Sequence, residues 1–281
     1  MVSAREQQQV DSANAGAKTP AVFIHGLWLL AGSWRPWMDL FEQAGYAPVA
    51  VDWPDDPETV EQARANPDVF AGKGVGQLAD HVSEVIGQLS GTPVVVGHSF
   101  GGLLAQIAAG RGLSAASVAI DPAPFRGVLP LPISALRSAM PVLSNPLNRS
   151  RAVSLSFAQF RYGWANALSD DEARELHQTL HVPGPGRPLF QAAFANLDPW
   201  TQVKTDTRNP ARGPLLIVSG GSDHTVPTAI SKASFAKQRR NSAPTEFTEI
   251  PGRGHSLTID SGWREVADRA LEFVKRFAAP V

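Results

Sequence analysis

A serine in a glycine-flanked turn is the residue of this sequence best suited to nucleophilic chemistry. Ser99 is the centre of the pentad Gly97-His-Ser-Phe-Gly101, which directly follows the apolar run Pro93–Val96. Apolar and small residues then recur at helical spacing: Leu103, Leu104, Ile107 and Ala108. A serine at the apex of a sharp strand-to-helix turn has a strained backbone and leaves no space for side chains two residues away. The pattern therefore predicts a strand, a turn and a helix that expose Ser99 as a nucleophile.

The composition limits the kinds of reactive site and partner that the chain can have. The chain has 281 residues, enough for one large domain or two small ones, and 43% of them are hydrophobic. It contains no cysteine, which excludes disulfides, thiol nucleophiles and thiolate metal sites. The 25 basic and 26 acidic residues give a formal net charge of -1, so we expect neither nucleic acid nor a membrane as a partner.

The N-terminal segment is polar and rich in Gln, Ala and Ser. It has no apolar core of the length found in secretory signals or membrane-spanning helices. We therefore expect residues 1–19 to form a flexible tail and the protein to be cytoplasmic.

Short apolar runs alternate with helical patterns through most of the chain. The predicted strands are Ala21–Gly26, Ala47–Asp52, Pro93–Val96, Ser117–Asp121, Pro214–Ser219 and Thr245–Ile250. Parallel neighbours need long crossovers, so this alternation predicts an α/β fold with a mostly parallel sheet and helices on both faces. Residues 20–121 and 214–281 would form this core.

The segment between the two core regions is different. Residues 122–213 contain no convincing strand, many prolines and several helical stretches with aromatic residues. Ser169 and Glu172 have the spacing of a capping box that opens a helix to about Leu180. We expect an inserted, mostly helical cap over the strand ends.

Four separated motifs resemble those of the α/β-hydrolase superfamily, in particular its cap-bearing serine esterases. They are His25-Gly26, the pentad around Ser99, Gly220-X-X-Asp223-X-X-Val-Pro227, and Gly254-His255. The order serine, acid, histidine is that of the superfamily. The resemblance spans residues 20–277, although these hydrolases usually begin with an antiparallel strand pair for which there is little room here. We therefore expect a sheet of about six strands.

The resemblance implies a role for each motif. His255 would take the proton of Ser99, and Asp223 would orient the imidazole. The N–H groups of Phe100 and Leu27 would form the oxyanion hole. No metal or other cofactor is implied.

Asp121 is an alternative acid, because some members of the superfamily supply the carboxylate from the end of the preceding strand. His25 and His98 are expected to form hydrogen bonds near the site. His177 and His181 lie four residues apart, but Gln178 stands where a zinc protease motif requires glutamate, so we expect a solvated helix face.

The expected substrate is a small, apolar carboxylic ester or lactone. Trp28, Phe160 and Trp164 are the candidate pocket residues, although the aromatic residues of the cap are equally suited to its own core. The fold also hosts acyltransferases, C–C bond hydrolases and lyases. A receptor with a vestigial triad is a further alternative.

Overall fold

The structure is a computed structural model that describes residues 1–280. Its strands are β1 (Pro20–Ile24), β2 (Ala47–Val51), β3 (Val94–His98), β4 (Ala116–Ile120), β5 (Ala152–Val153), β6 (Gly184–Pro185), β7 (Leu215–Gly220) and β8 (Thr245–Ile250). The helices before β5 are α1 (Ala4–Asn14), α2 (Arg35–Gln43), α3 (Val60–Ala65), α4 (Val75–Gly87), α5 (Phe100–Gly110) and α6 (Ile133–Leu143). Those after it are α7 (Phe157–Gly163), α8 (Asp170–Thr179), α9 (Arg187–Phe194), α10 (Thr228–Gln238) and α11 (Trp263–Phe277).

The core is a six-stranded sheet in the order β2-β1-β3-β4-β7-β8, and all five pairings are parallel. The predicted α/β fold and its six strands are confirmed. The central strands β1, β3 and β4 are buried along their whole length, as their uninterrupted apolar runs predict, whereas β8 at the edge is mostly half-buried.

Helices cover both faces of the sheet. Successive side chains of a strand point to opposite faces. Val22 and Ile24 of β1 therefore join the apolar layer that contains α4 and α5, while Ala21 and Phe23 join the layer that contains α2 and α11. This double burial fixes the strand ends, where the functional residues lie.

The N-terminal segment is not the flexible tail that its composition predicted. Helix α1 begins with a capping box in which Ser3 and Glu6 satisfy each other's backbone N–H. The Glu6 carboxylate is buried and accepts hydrogen bonds from the N–H of Asp52 (3.0 Å) and from His81 (2.9 Å). Burial raises the pKa of Glu6, but the hydrogen bonds from His81 and Ser3 outweigh it and lower the pKa below its ordinary value. Arg5 completes the attachment through an ion pair with Asp52.

Helices α6 to α9 lie between β4 and β7, in the segment where helices were expected. The Ser169 hydroxyl caps α8 by accepting the N–H of Glu172 at 3.3 Å. The expectation of no strand there is wrong, because β5 and β6 form a small antiparallel pair. Its two-residue strands are too short to produce an alternating pattern in the sequence.

No helix within residues 1–280 has the length and hydropathy needed to cross a membrane.

We expect Glu6→Ala to lower the free energy of unfolding by about 2 kcal/mol, because it leaves a buried N–H and the His81 ring without their acceptor. Urea unfolding measures the change. Gln8→Ala, on the exposed side of the same helix, is the control and should change the value by less than about 0.5 kcal/mol. Equal effects of the two substitutions would mean that α1 does not depend on this contact.

Candidate active site

Ser99 lies at the turn between β3 and α5, with φ 57° and ψ -120°. Few residues other than glycine adopt a positive φ, and this one is held by its neighbours on both sides. The N–H of Ser99 donates to Ile120 O (2.9 Å), and its carbonyl accepts the N–H of Ala123 (2.9 Å). A Cβ at Gly97 would collide with the carbonyl of Gly101, and one at Gly101 with that of Ile24. Both glycines are thus required for the turn, as the sequence predicted.

Asp223, His255 and Ser99 form a continuous chain of hydrogen bonds. His255 Nε2 lies 2.9 Å from Ser99 Oγ, and His255 Nδ1 lies 2.6 Å from Asp223 Oδ2. The other carboxylate oxygen of Asp223 accepts the N–H of Thr225 (2.6 Å) and of Val226 (3.0 Å), which fixes the acid in its loop. Strands β7 and β8 are neighbours in the sheet, so the acid and the histidine that follow them meet at one edge.

This arrangement can transfer a proton from the serine. Because Asp223 accepts from Nδ1, it selects the tautomer in which Nε2 is free to accept the Ser99 proton. The Asp223 carboxylate also stabilises the imidazolium that results. The edge of the Trp164 ring contacts the imidazole, with ring centroids 4.7 Å apart, and His255 is fully buried. Water therefore does not compete for either ring nitrogen.

Two backbone N–H groups next to Ser99 are suited to hold a negatively charged oxygen. Phe100 is the first residue of α5, where backbone N–H groups have no partner within the helix. Leu27 follows Gly26, whose Cα lies so close to the serine that an added Cβ would be 2.8 Å from Ser99 Cβ. Within residues 1–280, neither N–H donates to a protein group.

The loop that carries Leu27 is held by His25. Its Nδ1 lies 2.8 Å from Gly26 O, and its ring stacks on Trp53 with centroids 5.0 Å apart. On the other side of the ring, Nε2 lies 3.2 Å from Asp56, which in turn contacts Lys73 at 3.3 Å. The expected hydrogen bond of His25 near the site is therefore confirmed.

Asp121, the alternative acid, lies beside the triad but does not contact the histidine through a hydrogen bond in the described chain. Its Oδ1 accepts the N–H of Gly220 at 2.8 Å, and its carboxyl group is completely buried. Burial and the negative charge of Asp223 raise the pKa of Asp121 well above its ordinary value. Both effects favour the neutral, protonated form of Asp121.

His98 is buried between the triad and the aromatic residues. Its ring lies 4.7 Å from that of His255 and 5.4 Å from that of Trp164. Neither ring nitrogen has a hydrogen-bond partner in residues 1–280, so the expectation of a hydrogen bond there is wrong. Burial and the charge of His255 lower the pKa of His98 well below its ordinary value, and the ring is neutral.

The side chains of His98, Asp121 and His255 form one grouping of metal-ligating residue types, with ligand atoms within 4.8 Å of one another. Both nitrogens of His255 are engaged by Ser99 and Asp223. A metal ion held here would have to displace one of those contacts, so the grouping fits the proton chain better than a metal.

A cavity of about 970 Å³, including its open mouth, begins at Ser99. Most of its wall comes from the segment between β4 and β7. Apolar side chains dominate, among them Phe125, Val128, Leu136, Leu143, Leu189 and Ile230. Within the described chain the only polar side chains in the wall are those of Ser99, Asn196 and Thr225, and none is charged.

The three aromatic residues proposed for the pocket do not contribute to this wall, as far as residues 1–280 define it. Phe160 stacks on Trp164 with centroids 6.0 Å apart, and Trp164 contacts the ring of Trp28 edge-on. Trp28 Nε1 donates to Val153 O at 2.9 Å, which links the loop after β1 to β5. The three rings therefore form a packed cluster that covers His255, and apolar residues without a sequence motif form the pocket instead.

His177 and His181 are not on the solvated helix face that their spacing suggested. The two rings stack with centroids 4.8 Å apart, and both bind the backbone of Leu155. His177 Nε2 donates to its carbonyl at 3.0 Å, while His181 Nε2 accepts its N–H at 3.2 Å. Burial, followed by the charges of His177 and Arg64, lowers the pKa of His181 to about 3. The pair therefore holds the segment before α7 in place.

The sequence was compared with models of known protein families. The model of the alpha/beta hydrolase family matches residues 21–269, which include every residue of the site. The chain is an alpha/beta hydrolase. No curated protein sequence matches it significantly.

Solved structures share the fold of this alpha/beta hydrolase at low identity. A monoacylglycerol lipase of Paleococcus ferrophilus is 19% identical, with a TM-score of 0.64 over 92% of this chain and 95% of the lipase. A thermophilic esterase from Thermogutta terrifontis is 18% identical, with a TM-score of 0.64 over 93% and 91%. A putative non-heme bromoperoxidase from Mycobacterium tuberculosis is 19% identical, with a TM-score of 0.65 over 93% of both chains.

The protonated state of Asp121 in this hydrolase predicts a pH-dependent stability. The pKa of Asp121 is raised on folding from its ordinary value of 3.8. Such a group stabilises the folded state fully at a pH below 3.8, and this stabilisation is lost as the pH rises through the pKa of the folded state. Asp121→Asn retains a neutral donor and does not titrate. The free energy of unfolding of Asp121→Asn, relative to wild type, should therefore rise as the pH increases above about 4, by up to about 1.4 kcal/mol per pH unit. Urea unfolding at several pH values measures this difference, and a flat difference would show that Asp121 ionises normally.

Proposed function

We propose that this alpha/beta hydrolase is a serine hydrolase that cleaves carboxylic esters or lactones through an acyl-enzyme on Ser99, without a cofactor. The observation that carries the proposal is the hydrogen-bond chain from Asp223 through His255 to Ser99, which ends at the mouth of an apolar cavity. A serine with only a structural role in a turn needs neither the histidine nor the aspartate, whereas acyl transfer through a serine needs both.

In the proposed first step, His255 Nε2 takes the proton of Ser99 Oγ while the oxygen forms a bond to the acyl carbon. The carbonyl oxygen becomes negative, and the N–H groups of Phe100 and Leu27 stabilise it. His255 then gives its proton to the oxygen of the departing alcohol, and the bond between acyl carbon and alcohol breaks. In a lactone, this alcohol stays attached to the acyl group.

In the second step, water takes the place of the alcohol. His255 accepts a proton from the water, whose oxygen attacks the acyl carbon. The imidazolium then returns the proton to Ser99 Oγ, and the carboxylic acid leaves. The Asp223 carboxylate stabilises the imidazolium in both steps.

The cavity indicates the substrate class. A charged group bound there would lose its hydration without gaining a partner, because no charged side chain contributes to the wall in residues 1–280. An apolar acyl or alcohol group would instead bury its surface against Val128, Leu136 and Leu189. We therefore assign uncharged, largely apolar esters to the site, and we assign residues 122–213 the role of a cap that forms its wall.

A fluorophosphonate should label Ser99 covalently, and Ser99→Ala should abolish labelling. The same variant should lower kcat on p-nitrophenyl esters by on the order of 10⁵-fold, because the nucleophile is lost. Ser242→Ala, an exposed serine, is the control and should retain both properties. Butyrate and octanoate esters should be cleaved faster than a succinate monoester, whose free carboxylate has no partner in the cavity. Absence of a label on Ser99 would contradict the proposal, and excess transfer to an added alcohol would identify an acyltransferase.

Asp223→Asn and Asp121→Asn should differ strongly in turnover. Asp223→Asn removes the charge that selects the His255 tautomer, so we expect kcat to fall by about 10⁴-fold. Asp121→Asn preserves a neutral donor in the same position, so we expect a change of less than about tenfold. Steady-state kinetics on one ester give both values, with urea unfolding as the control for folding. The reverse order would assign the acid to Asp121.

A further inference from the structure

Eleven large apolar side chains are exposed on the described chain, and all except Met1 and Phe277 lie between residues 129 and 200. Scattered exposed apolar residues are normal, but a group of this size on one segment is typical of an interaction site. Three of its members, Leu129, Leu131 and Leu136, also line the cavity that begins at Ser99.

One half of the group is on α6 and the loop before it. Ile133, Leu136 and Met140 are three and four residues apart and form one stripe of the helix, and Ile133 is 86% exposed. Leu129 and Leu131 precede the helix and are more than two-thirds exposed, at 74% and 72%. Leu129, Leu131 and Leu136 also line the cavity, so the surface group is continuous with its mouth.

The other half is on the turn Pro146–Ser150 and at the end of α9. Leu147, Phe194, Leu197 and Trp200 are exposed there, and Trp200 has 85% of its surface free. Helix α9 packs against both α6 and the turn. Asn196 also donates to Val128 O at 2.9 Å, which connects the two halves. We call the nine exposed residues together the apolar face.

The half of the apolar face on α6 and the turn at residues 146–150 lie in a segment with an excess of positive charge. Residues 122–169 contain five arginines and neither aspartate nor glutamate, whereas the whole chain has a formal net charge of -1. Arg161 pairs with Asp170, but the other four arginines are exposed and have no carboxylate partner in the described chain. They are Arg126, Arg137, Arg149 and Arg151. On the α9 side of the face, Asp198 lies in the sequence between Leu197 and Trp200.

We propose that the apolar face binds an anionic lipid surface. Apolar side chains that enter the boundary of the acyl chains, with arginines at the level of anionic headgroups, are the combination that such a surface selects. Trp200 has the amphipathic ring that is favoured at this depth. Because the face is continuous with the cavity, an apolar molecule could pass from the lipid to Ser99 without crossing water.

The same charges disfavour a second copy of this chain as the occupant. A two-fold symmetric contact places the same patch on both partners. It would bring four unpaired arginines of each copy together in a desolvated interface, and like charges placed in this way cost several kcal/mol. The expectation of no membrane partner came from the net charge of the whole chain, which hides this local excess.

Vesicle binding by the full-length protein tests the proposal. The protein should sediment with phosphatidylcholine vesicles that contain about 30% phosphatidylglycerol and much less with pure phosphatidylcholine, and added salt should weaken the binding. Ser99→Ala should bind as wild type does, so the result is independent of the proposed hydrolysis. Equal binding to both vesicle types, or none to either, would overturn the proposal.

Variants locate the contact. Arg149→Gln with Arg151→Gln should weaken binding by about thirtyfold, which corresponds to about 1 kcal/mol per arginine. Lys18→Gln with Arg35→Gln makes the same change in net charge at exposed sites outside the segment and should leave binding unchanged. The triple variant Ile133→Ser, Leu197→Ser and Trp200→Ser should not sediment with vesicles. Circular dichroism is the control for its fold. Equal effects of the two charge pairs would overturn the assignment to the apolar face.

Tryptophan fluorescence provides a second readout. Five of the seven tryptophans are buried and Trp263 is half-buried, so Trp200 is the ring most accessible to a change of environment. Anionic vesicles should shift the emission of the wild type to shorter wavelength, and Trp200→Phe should lose this shift. If analytical ultracentrifugation instead shows a dimer that the triple serine variant dissociates, the face is a contact between copies and the lipid proposal is wrong.

Discussion

The geometry of the site depends on the close backbone packing around Ser99. The positive φ of this residue is possible only because β3 and α5 are fixed on either side of it, and because Gly97 and Gly101 leave no side chain between the backbones. The parallel sheet supplies this rigidity, since β3 is paired on both sides along its buried length. Loops after β1, β7 and β8 then need only short excursions to reach the serine. The turn at Ser99 therefore fixes the point around which Leu27, Asp223 and His255 are arranged.

Two buried carboxyl groups at the ends of neighbouring strands pose an electrostatic problem. The charge of Asp223 and burial both oppose the ionisation of Asp121. Asp223 has two backbone N–H donors and the imidazole beside it, whereas Asp121 has only the N–H of Gly220. The environment therefore disfavours a negative charge on Asp121, whose pKa is raised by burial and by the charge of Asp223. The neutral ring of His98 adds no competing charge, so the interior around His255 contains one anion directed at one nitrogen.

Much of this site could be predicted from the sequence, because each of its functional residues lies in a short motif next to a strand. The pentad specifies its own turn, and buried strands appear as apolar runs whose ends carry the functional residues. Helix α1 was missed although Ser3 and Glu6 have the capping-box spacing, since the low hydrophobicity of the segment outweighed that signal. Phe160 and Trp164 were candidates for both the pocket and the core of the cap, because the type of a residue does not show which side of a short helix faces the cavity. The wall is formed largely by leucine, valine and alanine, which are typical of any core and carry no functional signal.

The charge distribution shows how a whole-chain average can conceal a property of one surface. Near-equal numbers of acidic and basic residues predict no preference for anionic partners. All the acidic residues, however, lie outside residues 122–169. Electrostatic attraction to a surface decays over about 8 Å in physiological salt, so it depends on the nearest charges and not on the total charge. The acids on the rest of the chain therefore do not cancel the arginines next to the apolar face. The separation is visible in the sequence, but its consequence becomes clear only when the fold shows that the same segment exposes apolar side chains next to the cavity.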